Sequence, residues 1–239
     1  MSVIDIAAPH EYDHSHADVT SGWLRAGVFG AMDGLVSNLG LIAGIAAAGA
    51  APGIVAITGI SGLIAGAISM ALGEFTSVRT ANEQLDAEVR IEREAHLRNP
   101  EGEQAELRRL FEGLGVDAET AGAVARQVHA NGEVAVRMHL LSELGVSPEE
   151  KPSPWVAAIA SLCAFGIGAL IPILPFLLGF GVLGWGLAFG GVGLLLAGGI
   201  AARFTRRSWL AGAARQLLFG GIAVAATYTI GTLLGVSAA

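Results

Sequence analysis

Five long apolar stretches constrain this chain more than any other feature of its sequence. They cover residues 24–48, 53–78, 155–179, 181–202 and 209–236. A helix of about 20 largely apolar residues is long enough to cross the hydrocarbon core of a bilayer. The sequence therefore predicts an all-α membrane protein with five transmembrane helices. Only the turn signal at 179–181 separates the third and fourth stretches, so a single re-entrant element is the alternative there.

The charged residues are concentrated between the second and third apolar stretches. Only 15% of all residues are charged, but 15 of the 21 acidic residues lie between Glu83 and Glu150. Turn signals divide this insert into helical segments at 79–98, 101–114, 118–130 and 133–144. The predicted domains are a polar tail at 1–22, spans at 23–80, an acidic helical metal-binding domain at 81–151, and spans at 152–239.

Composition also excludes several classes of protein. A hydrophobic content of 53% with so little charge is not that of an ordinary soluble domain. A net charge of −7 argues against a nucleic-acid partner. The single cysteine, Cys163, excludes a disulfide framework. We find no nucleophile–base constellation, phosphate loop or cofactor motif, so the chain is not expected to be an enzyme.

Basic residues near the span ends predict the orientation. With five spans, one side of the membrane receives all the basic residues that lie near span ends. They are Arg25, Arg79, Lys151 and the arginines at 203–207. The opposite connections carry no basic residue. Because basic residues accumulate in cytoplasmic loops, the N-terminus and the insert are predicted to be cytoplasmic and the C-terminus outside. The first twenty residues lack a cleavable signal, and the composition suggests a bacterial inner membrane.

Three side chains in the first two spans could bind a metal ion. An ionisable residue inside a span, such as Asp33, usually faces a polar path or a partner. Met70 and Glu74 are four residues apart and therefore share one face of the second span. A thioether beside carboxylates suits a borderline-soft divalent metal better than magnesium or calcium. The alternatives are a structural hydrogen-bonding role for Asp33 and core filling by Met70.

The insert carries pairs of carboxylates at helical spacing. Glu88 and Glu92 share one face, as do Glu103 and Glu106. Like charges at this spacing destabilise a helix, and a cation between them would remove that cost. The alternative is a solvated helix face with the neighbouring arginines as counter-charges.

The last insert helix adds Met138, His139 and Glu143 within about a turn and a half. This mixture of soft, imidazole and carboxylate groups suits Fe²⁺, Mn²⁺ or Zn²⁺. His129 is interpreted as an ordinary surface histidine. The N-terminal segment HEYDHSH at 10–16 is interpreted as a tail rather than a loose metal site.

Two segments resemble the vacuolar iron transporter family. They are RAGVFGAMDGLVSNLGLIAG at 25–44 and GAISMALGEFTSVR at 66–79. The resemblance covers most of the chain and implies five spans with an acidic helical insert after the second. It also implies a homodimer in membrane lipid that carries Fe²⁺, and often Mn²⁺, out of the cytosol in exchange for protons. The metal is then the transported substrate, and no organic cofactor is implied.

The resemblance also implies roles for individual residues. The family's intramembrane aspartate falls on Asp33 and its path methionine on Met70, and Glu74 matches a carboxylate of bacterial-type members. The family's insert glutamates fall on Glu92, Glu103, Glu106 and Glu143. One expected glutamate falls on Ala95, between Glu94 and His96. The methionine pair of plant-type members falls on His139 and Leu140, with Met138 adjacent. The full predicted metal set of the insert is Glu88, Glu92, Glu94, Glu103, Glu106, Met138, His139 and Glu143.

The predicted function is therefore metal export by proton antiport, with the acidic insert collecting the metal. Carboxylates must lose protons to bind a metal, so the two kinds of cation compete for the same groups. One rival is a metal-gated channel or metal sensor. Another is a non-transporting membrane scaffold whose acidic insert binds a basic protein.

Overall fold

A computed structural model of the chain describes residues 22–147, 151–205 and 207–238. Within these ranges it contains helices and no strand, which confirms the all-α prediction. The predicted N-terminal tail and its HEYDHSH segment lie outside the described residues. The helices are α1 (Gly22–Ala47), α2 (Pro52–Arg98), α3 (Pro100–Gly113), α4 (Ala118–His129), α5 (Gly132–Leu144), α6 (Pro154–Leu177), α7 (Leu183–Phe204) and α8 (Trp209–Ala238).

Five of these helices are long and apolar enough to cross a membrane: α1, α2, α6, α7 and α8. This confirms the five predicted spans. The third and fourth spans are separate helices rather than one re-entrant element. Gly179 lies in the turn between them with φ +89°, a left-handed conformation that glycine adopts readily.

The spans pack around α1, which contacts α2, α6, α7 and α8. Leu35, Leu39 and Ile42 of α1 are buried in the central apolar cluster. Glycines bring α1 and α6 into close contact, because a Cβ at Gly34 would collide with the carbonyl oxygen of Phe165. A Cβ at Gly168 would collide in the same way with Ala31. The small residues therefore act in tight packing within one chain.

Helix α2 leaves the bundle without a break and becomes the first helix of the insert. Its 47 residues make it about 70 Å long. Side-chain caps start the next three helices: Asn99 accepts from Gly102 N, Asp117 from Thr120 N, and Asn131 from Glu133 N. Each cap lies at or beside a predicted break. The insert therefore has the predicted helices, and the side of the membrane that it occupies stays a prediction.

Buried apolar side chains hold the insert together. Val89 of α2 packs against Val136 and Leu140 of α5, with Leu85 alongside. Helix α3 packs on α4 as well as on α2. This small core joins α2 to α5, and α3 and α4 pack beside them. Several of the predicted ligands lie on α2, α3 and α5.

Candidate metal sites

A groove between α1 and α2 contains all three intramembrane residues predicted from the sequence. Asp33 of α1 and Met70 and Glu74 of α2 line it, and its volume is about 490 Å³. On the α2 side, Gly73 leaves open space, since nothing lies within 4 Å of a Cβ added there. The remaining residues lining the groove are Phe29, Ser37, Gly62, Gly66, Ser69, Gly73 and Phe165.

Asp33 has its carboxylate held within the groove wall. Ser37, one turn further along α1, donates its Oγ–H to Asp33 Oδ1 at 2.8 Å. Met70 is half-buried and packs beside Phe165 of α6. The groove thus offers a carboxylate and a thioether on facing helices, which is a ligand set for a borderline-soft cation.

Glu74 lies at the end of the groove nearest the insert and is paired with Arg25. Arg25 Nη2 lies 2.7 Å from Glu74 Oε1. Sequence reasoning used Arg25 only as an orientation signal and missed this pair. The two residues are on different helices, so no local spacing could have indicated it.

Asn38 is a second residue that sequence reasoning missed. Its side chain is buried, and its Nδ2 donates to the carbonyls of Gly59 on α2, at 3.2 Å, and of Ala169 on α6, at 2.7 Å. An added Cβ on Gly62 would lie 3.1 Å from Asn38 Oδ1. Asn38 therefore ties three helices together beside the groove.

In the insert, carboxylates from three helices surround His139. We call Glu92 of α2, Glu103 of α3 and Glu143 of α5 the carboxylate cluster. Their nearest oxygens lie 3.5, 3.9 and 3.2 Å from His139 Nδ1. The imidazole is buried, whereas Glu143 reaches solvent. The fold therefore brings together four of the residues in the predicted metal set.

The charge balance of the carboxylate cluster favours a bound cation. Burial raises the pKa of Glu92, and the neighbouring His139 opposes that rise. The nearby carboxylates Glu143, Glu103 and Glu106 raise the pKa further. Burial and crowding thus destabilise the ionised form, and a divalent cation at this point would offset both.

The other predicted insert residues are not part of the carboxylate cluster itself, although Glu106 lies close enough to Glu92 to raise its pKa. Glu94 is exposed and pairs with Arg98 at 3.0 Å. Glu88 borders a separate groove, Glu106 is exposed, and Met138 is half-buried. Pairs of Arg and Glu at i, i+4 spacing also occur at Arg79–Glu83 and Arg108–Glu112. Part of the acidic surface therefore fits the alternative of a solvated, charge-compensated face.

Two further histidines lie beside His139, and we call His96, His129 and His139 the histidine cluster. His129 Nε2 is 3.3 Å from His139 Nε2, and the rings of His96 and His129 stack with centroids 4.8 Å apart. Burial lowers the pKa of His129, and the adjacent His96 and His139 lower it further. The interpretation of His129 as an ordinary surface histidine is wrong, because α4 packs it against the other two rings.

Five helices long and apolar enough to cross a membrane, with a helical insert between the second and the third, define an integral membrane protein. The sequence model of the VIT family matches residues 24–232, and the chain belongs to that family. The family and its members are transporters rather than enzymes, in agreement with the prediction that the chain is not an enzyme.

Several curated relatives extend this finding. The chain is 37% identical to a vacuolar iron transporter of Acanthamoeba castellanii, over 90% of this chain and 79% of that protein. It is 30% identical to vacuolar iron transporter 1 of Oryza sativa subsp. japonica, over 94% and 91% of the two chains. It is 32% identical to vacuolar iron transporter homolog 3 of Arabidopsis thaliana, over 89% of this chain and 84% of that protein.

Proposed function

We propose that this protein exports divalent metal, Fe²⁺ and also Mn²⁺, from the cytosol in exchange for protons. The observation that carries the proposal is the single groove that holds Asp33, Met70 and Glu74. The names of the relatives support iron as the substrate. The basic residues at the span ends support a cytoplasmic insert, with the C-terminus outside a bacterial inner membrane.

The insert is the first binding point in this proposal. Its negative field raises the local concentration of cytosolic cations. The carboxylate cluster and His139 offer oxygen and nitrogen ligands from three helices, so a cation bound there would also hold these helices together. The ion then passes to Glu74, at the end of the groove nearest the insert.

Within the groove, metal and proton compete for the same carboxylates. A cation that enters displaces Arg25 from Glu74 and then meets Met70 and Asp33. Asp33 binds metal only when it is deprotonated. On the side of the membrane opposite the cytosol, a lower pH protonates Asp33 and the ion is released. Each turnover therefore exchanges metal for protons.

We further propose a homodimer, as the family resemblance implies. The membrane part of α2 exposes a row of large apolar side chains that includes Ile57, Ile64, Ile68 and Leu72. Lipid or a second copy of the chain covers this surface. A second copy would place two grooves close together in the membrane.

The test is metal transport in proteoliposomes that hold the full chain and a pH dye. With an inward acidic gradient, Fe²⁺ uptake with matching proton release supports the antiporter. Asp33→Asn should abolish both fluxes while still inserting in the membrane. Full transport by Asp33→Asn overturns the proposed route, and metal flux without proton movement makes the protein a channel. Metal binding without flux makes it a sensor, and neither binding nor flux makes it a scaffold.

A further inference from the structure

We propose that the histidine cluster, His96, His129 and His139, is a nitrogen-rich binding site for a divalent transition metal ion. The three imidazoles come from α2, α4 and α5, and one ring nitrogen of each lies within 4.8 Å of those of the other two. The family resemblance assigns no role to His96 or His129. The inference goes beyond the collecting role of the carboxylate cluster, and it does not depend on transport.

The spacing of the nitrogens fits a tetrahedral metal. Two nitrogen ligands at about 2.0–2.1 Å from such an ion lie about 3.3 Å apart. His129 Nε2 and His139 Nε2 are separated by 3.3 Å. The ring of His139 stands edge-on to both other rings, at centroid distances of 5.0 and 5.4 Å. Rotation of the rings of His96 and His129 out of their stacked arrangement would complete a three-nitrogen site.

Hydrogen bonding orients the lone pairs of two rings. His96 Nδ1 lies 3.2 Å from the carbonyl oxygen of Glu92 and 3.3 Å from Glu92 Oε1, so Nδ1 is the atom that carries a proton. His139 Nδ1 likewise faces the carboxylate cluster. A neutral imidazole has one N–H, so Nε2 of each ring keeps its lone pair. Among the described residues, the buried His96 Nε2 has no hydrogen-bond partner.

This arrangement gives the carboxylate cluster a second role. Metal-binding histidines usually donate their other N–H to a carboxylate or a backbone carbonyl, which fixes the tautomer and the ring orientation. Glu92 and Glu143 occupy these positions for His96 and His139. A ring cannot use Nδ1 for a cation in the carboxylate cluster and Nε2 for a cation in the histidine cluster while it keeps its proton. The two clusters therefore share His139 and compete for it.

A cavity of about 590 Å³ gives the histidine cluster a route to solvent. It is lined by His96 and His129 together with Arg93, Leu97, Gln104 and Glu133. Water can therefore supply a fourth ligand. Imidazole ligands suit Zn²⁺, Fe²⁺ and Ni²⁺, whereas carboxylates suit Mn²⁺. The two clusters are thus expected to differ in metal preference.

The test uses Co²⁺ as a visible probe of the full-length protein in detergent. Wild type should show the intense absorption bands of tetrahedral Co²⁺ at neutral pH. His129→Ala should lose these bands and bind Co²⁺ about tenfold or more weakly. It should bind Mn²⁺ as wild type does, because the carboxylate cluster is intact. Gln127→Ala, an exposed change on the same helix, is the matched control.

Unchanged Co²⁺ bands in His129→Ala would overturn the proposal, as would weak octahedral bands in wild type. A second measurement leaves the histidine cluster unchanged: with the tail histidines His10, His14 and His16 replaced by Ala, pulsed EPR of bound Cu²⁺ should detect coupling to three imidazoles. Coupling to one imidazole or none would also overturn it. Both measurements are made at equilibrium, so their failure leaves the transport proposal standing. Absence of flux in liposomes likewise leaves this proposal standing.

Discussion

Arg25 and Glu74 form an ion pair that covers the end of the metal groove nearest the insert, with Arg25 Nη2 2.7 Å from Glu74 Oε1. The Arg25 side chain is 68% exposed, whereas that of Glu74 is only 11% exposed. The guanidinium therefore lies between solvent and the carboxylate. In the proposed route, a cation arriving from the insert would find Glu74 already neutralised and would have to displace Arg25 to bind.

The first prediction concerns this competition. Arg25→Gln should lower the KM for metal, because the cation no longer displaces a guanidinium. Because the Arg25 side chain of this pair is largely in solvent, the pair contributes about 1 kcal/mol, which corresponds to a KM lowered by about fivefold. Initial rates of Fe²⁺ uptake in proteoliposomes measure it. Arg79→Gln is the control, because it removes an exposed pair with Glu83 outside the groove. A raised KM in Arg25→Gln would contradict the displacement.

The second prediction distinguishes metal binding by the Met70 sulfur from simple filling of space by the Met70 side chain. Met70→Leu keeps the size of the side chain and removes the thioether, so stability should change little. Fe²⁺ transport should fall by about tenfold or more if the sulfur is a ligand. Met32 is the matched control, because it lines a different, apolar groove against α6 and α7. Met32→Leu should transport normally, and equal rates in the two variants would show that Met70 only fills space.

Most of the fold could be predicted because its signals are local. Length and apolarity define the spans, and Asn99, Asp117 and Asn131 mark helix starts through hydrogen bonds to residues two or three positions away. The predicted span at 53–78 and the predicted helical segment at 79–98 join in one helix, α2, and residues 79–98 contain neither Gly nor Pro to break it. The shared face of Met70 and Glu74 also follows from helical spacing alone.

The rest of the site depends on how distant helices pack. Arg25 meets Glu74 because α1 and α2 pack side by side, and no spacing rule connects residues 25 and 74. His129 joins His96 and His139 only because α4 returns to the end of α2. The residues next to His129 in the sequence do not indicate that two other histidines lie close to it in space. The local signals available there are the i, i+4 spacings of Glu92 with His96 and of His139 with Glu143.

The third prediction tests the close packing of α1 on α6. Gly34→Ala places a methyl group against the backbone of Phe165, so the helices must move apart. Such overpacking typically costs about 1–3 kcal/mol, and the melting temperature should fall by several degrees. Gly27→Ala is the matched control, because nothing lies within 4 Å of its added Cβ. It should be neutral or slightly stabilising, since alanine is the better helix former. Thermal unfolding in detergent distinguishes the two, and equal melting temperatures would contradict the packing.

The fourth prediction concerns the conflict between stability and metal binding at Glu92. Burial, the largest cause, raises the pKa of this carboxyl in the folded protein above its ordinary value of 4.5. At pH values below that ordinary pKa, the carboxyl is protonated in both the folded and the unfolded protein. It then leaves the free energy of unfolding unchanged. As the pH rises through the raised folded pKa, ionised Glu92 destabilises the folded, metal-free protein. Glu92→Gln should therefore raise the melting temperature at pH 7.5 but not at pH 4.

Addition of Mn²⁺ should reverse the order of the two melting temperatures at pH 7.5, so that wild type melts above Glu92→Gln. A cation that binds only the folded state stabilises it, so wild type should gain several degrees with Mn²⁺ at pH 7.5. Glu92→Gln should gain little, because one ligand of the carboxylate cluster is lost. Glu94→Gln is the control, since Glu94 is exposed and paired with Arg98. It should match wild type with and without Mn²⁺. If metal-free Glu92→Gln melts below wild type at pH 7.5, Glu92 is a structural group, because its ionised form then stabilises the fold.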